Sequence, residues 1–130
     1  MYEEITEKIK ITVKPEFLDE HSDPEEKRFI WAYHVKIENN GEDTVKLVSR
    51  SWTISDSMGR VQEVRGSGVV GENPILKPGS SFEYTSGTPL NTPSGFMMGT
   101  YKMKRNNGVT FQAHIPAFSL DSPHEKGLQN

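Results

Sequence analysis

"FIWAYHVKIENNG", residues 29–41, decides the fold class. Trp31, Tyr33, Val35 and Ile37 share one parity, while His34 and Lys36 share the other. A period of two over such a run marks a strand with one face in an apolar core. Asn40-Gly41 follows, a pair that tolerates the positive φ angles of a tight hairpin, so a two-residue turn into the next strand is expected.

The same alternation extends outward in both directions. Upstream, "KIKITVKP" places Ile9, Ile11 and Val13 on one face, and Pro15, which has no N–H to donate, predicts an edge position or a bend. Between these strands lies "LDEHSDPEEKR", where Asp23, Pro24 and Glu26 predict one capped helical turn. Downstream, Val45 and Leu47 have one parity and Val48, Trp52 and Ile54 the other, which predicts a bulge or a change of sheet. "RVQEV" is a short strand, and "SFEYTS" turns Phe82 and Tyr84 inward. "SGTPLNTPSG" has the composition of a loop. "FMMGTYKMK" aligns Met97, Gly99, Tyr101 and Met103. Asn107-Gly108 signals another hairpin, and "VTFQAHIPAF" turns Val109, Phe111, Ala113 and Ile115 inward until Pro116 interrupts it. About seven or more antiparallel strands, with no long helical pattern, predict an all-β sandwich whose core draws on Trp31, Tyr33, Trp52, Phe82, Tyr101 and Phe111.

Composition bounds the chemistry. A chain of 130 residues is one domain (1–130), with fraying expected at 1–4 and 122–130. The absence of cysteine removes disulfides and thiolate sites and fits a reducing compartment. No apolar run is long enough for a membrane helix, and the N-terminus lacks a signal-peptide pattern, so a cytoplasmic protein without membrane insertion is expected. A net charge of −3 argues against general nucleic-acid binding, although Lys102, Lys104 and Arg105 form a local basic stretch.

"VRGSGVVGENP", residues 64–74, has G-x-G-x-x-G spacing at Gly66, Gly68 and Gly71. A dinucleotide fold needs a helix directly after such a loop, but Pro74 and Pro78-Gly79 leave no room for one. What survives is an anion nest of backbone N–H groups, with Arg65, Gly66, Ser67, Gly68 and Gly71 as candidate phosphate-binding residues and Arg50 as a further counter-charge if the third and fourth strands pair. The competing reading is a loop whose glycines permit positive φ. His34 and His114 lie on polar strand faces and would bind a metal only if their strands were neighbours; two surface histidines are the simpler reading. The acidic cluster from Asp19 to Glu26 lacks calcium-loop spacing, and no nucleophile elbow is present. No catalytic residue, metal site or cofactor is assigned. Leu90 and Phe96, in the Gly/Pro/Ser-rich stretch, are candidate partner contacts, or else caps on one end of the core.

Several stretches together carry a family resemblance. They are Trp52, Ile54 and Asp56 in W-x-I-x-D, the glycine loop, L-x-P-G at Leu76–Gly79, the Phe82/Tyr84 strand, and the run Gly95, Met97, Gly99, Tyr101, Met103. With "ITVKPEFLDEHS" and "FIWAYHVKIEN", they make nearly the whole chain resemble the ApaG domain family, found as stand-alone bacterial proteins. The resemblance implies an immunoglobulin-like or fibronectin type III-like β-sandwich. It also implies a non-enzymatic module for protein–protein interaction, because relatives occur in eukaryotic F-box proteins and in a DNA-polymerase-delta-interacting protein. Bacterial members are associated with cobalt resistance and magnesium efflux, and their gene often neighbours that of a diadenosine-tetraphosphate hydrolase. The family's glycine loop, here Gly66, Gly68 and Gly71, implies the alternative of a module that binds nucleotide or pyrophosphate. The protein partner and the oligomeric state are left open by the sequence.

Overall fold

The strand that carries the deciding alternation runs from Phe29 to Asn39, and every second residue along it is buried. In the computed structural model, which describes residues 1–124, this strand is the third of nine. In chain order they are β1 (Tyr2–Thr6), β2 (Ile9–Phe17), β3 (Phe29–Asn39), β4 (Val45–Asp56), β5 (Val61–Ser67), β6 (Ile75–Leu76), β7 (Ser81–Leu90), β8 (Ser94–Arg105) and β9 (Thr110–Asp121). One sheet has the order β1-β2-β3-β7, and the other β5-β4-β8-β9 with β6 paired to β4. All pairings between these strands are antiparallel. The all-β sandwich expected from the sequence is therefore the fold.

The core lies between the sheets. Ile9, Ile11, Val13, Trp31, Tyr33, Val35 and Ile37 from one sheet meet Leu47, Trp52, Met97, Tyr101, Met103, Ile115 and Phe118 from the other. The Trp52 ring stands 5.2 Å from Tyr33, 6.0 Å from Phe118 and 6.4 Å from Tyr101, in tilted and edge-on geometries. Such pairs each add about 0.5–1.5 kcal/mol beyond their area burial. Within this layer the Tyr84 and Tyr101 hydroxyls, from opposite sheets, lie 2.5 Å apart. Burial raises both phenols above their ordinary range.

Several local expectations are corrected. Asn40-Gly41 does not close a hairpin: β3 and β4 belong to different sheets, so this connection is a crossover. The buried Asn39 side chain organises it, donating to the carbonyls of Asp43 and Leu76 and accepting from the Gly41 N–H. β2 is an interior strand, and Pro15 lies beyond the last pair with β1, Tyr2↔Val13, where among the described residues one flank of β2 has no strand partner. Residues 2–4, expected to fray, belong to β1. It pairs with β2 and is tied to β9 by Thr6 Oγ1 and the Tyr2 hydroxyl, which accept from the His114 and Ser119 N–H groups. At the other end, Ser122 is buried and donates to the Pro93 carbonyl; residues 125–130 of the expected C-terminal fray lie outside the described residues.

The stretch expected to be a long loop is mostly strand. β7 runs through Gly87 and Pro89 to Leu90, leaving only residues 91–93 as a connection to β8. Pro116 does not end β9. The pairs Met97↔Phe118 and Gly99↔Ile115 leave one extra residue on β9, a bulge at the proline that switches burial to the opposite parity. The parity break in β4 is likewise a bulge, between Leu47 and Ser49. Val109 is exposed in the β8–β9 turn rather than inward. The expected helical turn is a 3-10 turn at Pro24–Glu26 without a side-chain cap.

The tyrosine pair gives a test. Because their folded pKa values lie above the unfolded value of about 10, the stabilisation is fully present below pH ~10 and falls as pH rises beyond it. In a spectrophotometric titration, Tyr84 and Tyr101 should ionise only as the protein unfolds. Tyr101→Phe leaves a buried hydroxyl without its partner and should cost about 1–3 kcal/mol in denaturant melts, with much of the loss recovered in the Tyr84→Phe/Tyr101→Phe double variant.

Candidate binding surface

Strand register arranges the outer face of the β5-β4-β8-β9 sheet in rows. One row holds Val61, Ser55, Phe96 and Ser119, and another holds Arg65, Ser51, Thr100 and His114. The first row and its surroundings expose several large apolar side chains among serines, with Asp56 and Asp121 at the rim of the groove. Phe96 is 43% and Met98 41% exposed, and Met58 and Val61 are more exposed still. Phe96 and Met98 line an open groove of about 670 Å³ with Ser57, Gly59, Ala117 and Ser119.

The Asp56–Arg60 turn forms one wall of this groove. Asp56 accepts from the Met58 N–H at 2.9 Å, the Arg60 N–H at 3.0 Å and the Arg60 Nε at 2.6 Å. Burial works to raise the Asp56 carboxyl, but the bonds and charge of Arg60 and the Met58 N–H prevail and hold it below its ordinary value. The Ser57 N–H donates to Thr92 Oγ1, which donates onward to the Ser94 carbonyl and so fixes the turn against the β7–β8 connection. Of the two candidate partner contacts, Phe96 is therefore on the surface. Leu90 is not: at 4% exposure it belongs to the core, as the inner-facing end of β7. Sequence reading missed Met58 and Val61. The signal for Val61 was its parity with exposed Glu63 and Arg65.

The glycine motif is split between a strand and a turn. Arg65, Gly66 and Ser67 belong to β5, and Arg65 projects over a second groove that includes Ser49, Ser51, Thr100, Lys102 and Gln112. Gly66 pairs with Arg50, and a side chain there would meet the Arg50 guanidinium at 2.8 Å. That guanidinium donates to the carbonyls of Ser67 and Gly68, at 3.0 and 2.9 Å. The Gly68 N–H donates to the Val48 carbonyl, and Val69 and Glu72 exchange both backbone bonds around a two-residue turn. Val70 and Gly71 occupy that turn at φ 43° and 80°, and Val69 anchors it in the core. The loop thus turns carbonyl oxygens toward Arg50 and spends the Gly68, Val69 and Glu72 N–H groups internally.

The remaining candidates are dispersed. His34 lies on the outer face of the other sheet, 2.9 Å from both Thr85 Oγ1 and Glu83 Oε1, so it does not neighbour His114 of β9. Arg105 is tied to Glu7 and Asp43 and lies 4.4 Å over the Phe111 ring, apart from the outward parity of Lys102 and Lys104. Among the described residues, no three His, Cys, Asp or Glu side chains are placed to hold a metal ion, and no helix is long and apolar enough to cross a membrane.

The model of the ApaG domain matches residues 19–105. A Protein ApaG of Rhodospirillum centenum is 61% identical over 130 residues, covering all of both chains. The chain belongs to the ApaG domain family. A Protein ApaG of Paramagnetospirillum magneticum is 59% identical, again over the full length of both. Among solved structures, a putative ApaA protein from Bordetella pertussis is 46% identical with a TM-score of 0.86, covering 89% of this chain and 94% of that one. The C-terminal domain of wzt, 13% identical at a TM-score of 0.54, shares the fold alone.

Two predictions follow from this geometry. A Cβ on Gly68 would stand 2.1 Å from the Glu72 carbonyl oxygen at φ 62°, whereas nothing lies within 4 Å of one on Gly71. Gly71→Ala should therefore cost about 1–2 kcal/mol, the left-handed penalty alone. Gly68→Ala should cost clearly more, and denaturant titration of both variants orders them. The Asp56 stabilisation is present above its unfolded pKa of about 3.9 and is lost as pH falls through its lower folded value. Asp56→Asn should flatten that part of the stability–pH curve measured by thermal melts from pH 2 to 6.

Proposed function

We propose that this ApaG domain is a non-enzymatic protein-binding module, and that the groove between the Asp56–Arg60 turn, β8 and β9 receives an apolar segment of the partner. The observation that carries this reading is the pair of exposed side chains Phe96 and Met98, adjacent on one strand and lining the same groove. Aromatic and methionine side chains are enriched at protein interfaces, and methionine adapts its shape to a partner. A β-sandwich holds such side chains on a rigid sheet, which keeps the entropy cost of association low. The cobalt and magnesium association implied by the family resemblance is carried, in this reading, by the partner. The cytoplasm, suggested by the cysteine-free composition, is the compartment in which they meet.

The test is site-directed photo-cross-linking in cells of the source organism. A benzophenone amino acid at Met98 should give a discrete protein adduct, lost when Phe96→Ser is added. The same probe at Lys36, on the outer face of the other sheet, should give none. Equal adducts at both positions, or none at either, would overturn the assignment.

A further inference from the structure

The four sheet edges are not protected equally. β9 has N–H groups covered by Tyr2 and Thr6 of β1, which packs alongside it. β1 is a five-residue strand, and β7 carries Pro89, which has no N–H to offer. β5 is longer than β1, contains no proline or bulge, and among the described residues pairs only with β4. Sheet edges of this kind template further pairing unless they are blunted.

The bonds that flank β5 show which of its groups are free. The Asp56 N–H donates to the Arg60 carbonyl at one end, and the Gly68 N–H donates to the Val48 carbonyl at the other. Even-numbered residues of β5 therefore direct their main-chain groups at β4, and the odd-numbered Val61, Glu63, Arg65 and Ser67 direct theirs outward. The Ser67 carbonyl already accepts from Arg50. The others are open among the described residues.

We propose that β5 pairs with β5 of a second copy of this chain, antiparallel about a two-fold axis through Val64. This register sets Glu63 opposite Arg65 of the second copy, and Arg65 opposite its Glu63. Both are odd-numbered, so the main-chain groups that face outward on one copy meet those that face outward on the other. Their side chains share the exposed face, at 62% and 72% side-chain exposure, and already pair along the strand at 3.7 Å, so the register brings two such pairs together with carboxylate and guanidinium alternating. Ser67 meets Val61, whose carbonyl takes the free Ser67 N–H. The two β5-β4-β8-β9 sheets become continuous. A two-fold interface must be self-complementary, and this strand is. A contact of one short strand is small, so the dimer is weak and reversible. It draws on the β5 edge and not on the Phe96/Met98 groove, so it stands or falls separately from the function proposed above.

Sedimentation velocity over a wide concentration range tests the pairing. The wild-type chain should show a reversible monomer–dimer equilibrium. Glu63→Arg places like charges opposite each other at both ends of the register and should weaken dimerisation about tenfold. The double variant Glu63→Arg/Arg65→Glu restores the pairing and should recover it. Amide hydrogen exchange should slow with concentration at Glu63, Arg65 and Ser67 but not at even-numbered residues of β5. A chain that stays monomeric to millimolar concentration would overturn the proposal. So would a dimer indifferent to Glu63→Arg, or a double variant no better than the single one.

Discussion

Contact between the Trp52 indole and the opposite sheet fixes how the two layers lie on each other. Trp52 is central in β4 and meets Tyr33 of β3 across the layer, with Tyr101 and Phe118 beside it in its own sheet. Large rings dominate core energetics and tolerate little displacement, because interiors are close-packed. Once Trp52 is seated, the parity of β4 is settled: Ile54 goes inward, and the hydroxyl residues Ser51, Thr53 and Ser55 go outward. The register with β8 then places Phe96 and Met98 on the outside. The candidate binding surface is thus a consequence of core packing, since inward Met97 requires outward neighbours on either side.

The glycine motif depends on the same arrangement. Arg50 precedes Trp52 by two residues and shares its inward parity, which brings the guanidinium to the mouth of the sandwich beside Gly66. Its partners are main-chain carbonyls, so the loop is held by a charge pointing into it. Sequence spacing alone suggests an anion cradle. The folded chain supplies instead a cation that is already satisfied by the loop.

How much of this was legible beforehand depended on range. The strands β2, β3 and β8 declared themselves because alternation is local, and the β4 bulge was visible as a break in parity. Asn107-Gly108 formed the expected turn, with Gly108 at φ 87°. Asn40-Gly41 has the same kind of composition yet joins two sheets, because the buried Asn39 amide ties the crossover to Leu76, far along the chain. Gly87 and Pro89 resembled loop residues, but an edge strand accepts both. Leu90 looked exposed for the same reason. Phe96 could be placed by parity with Met97, whereas the groove beside it needed the Asp56–Arg60 turn and β9, which no local pattern brings together.

The crossover at Asn39 also bears on how the chain reaches this state. Neighbouring segments pair in the β1–β2, β4–β5 and β8–β9 hairpins. The β3–β7 ladder instead joins residues 29–38 to residues 81–90, and it closes only after the segment between them has been brought round. Loop-closure entropy is lost before that ladder returns any bonds, and proteins dominated by such pairings fold in milliseconds to seconds rather than microseconds. During that interval β3, the most regularly apolar strand of the chain, has one flank without a partner. The nascent protein is therefore most exposed to aggregation through the very segment that defines its fold.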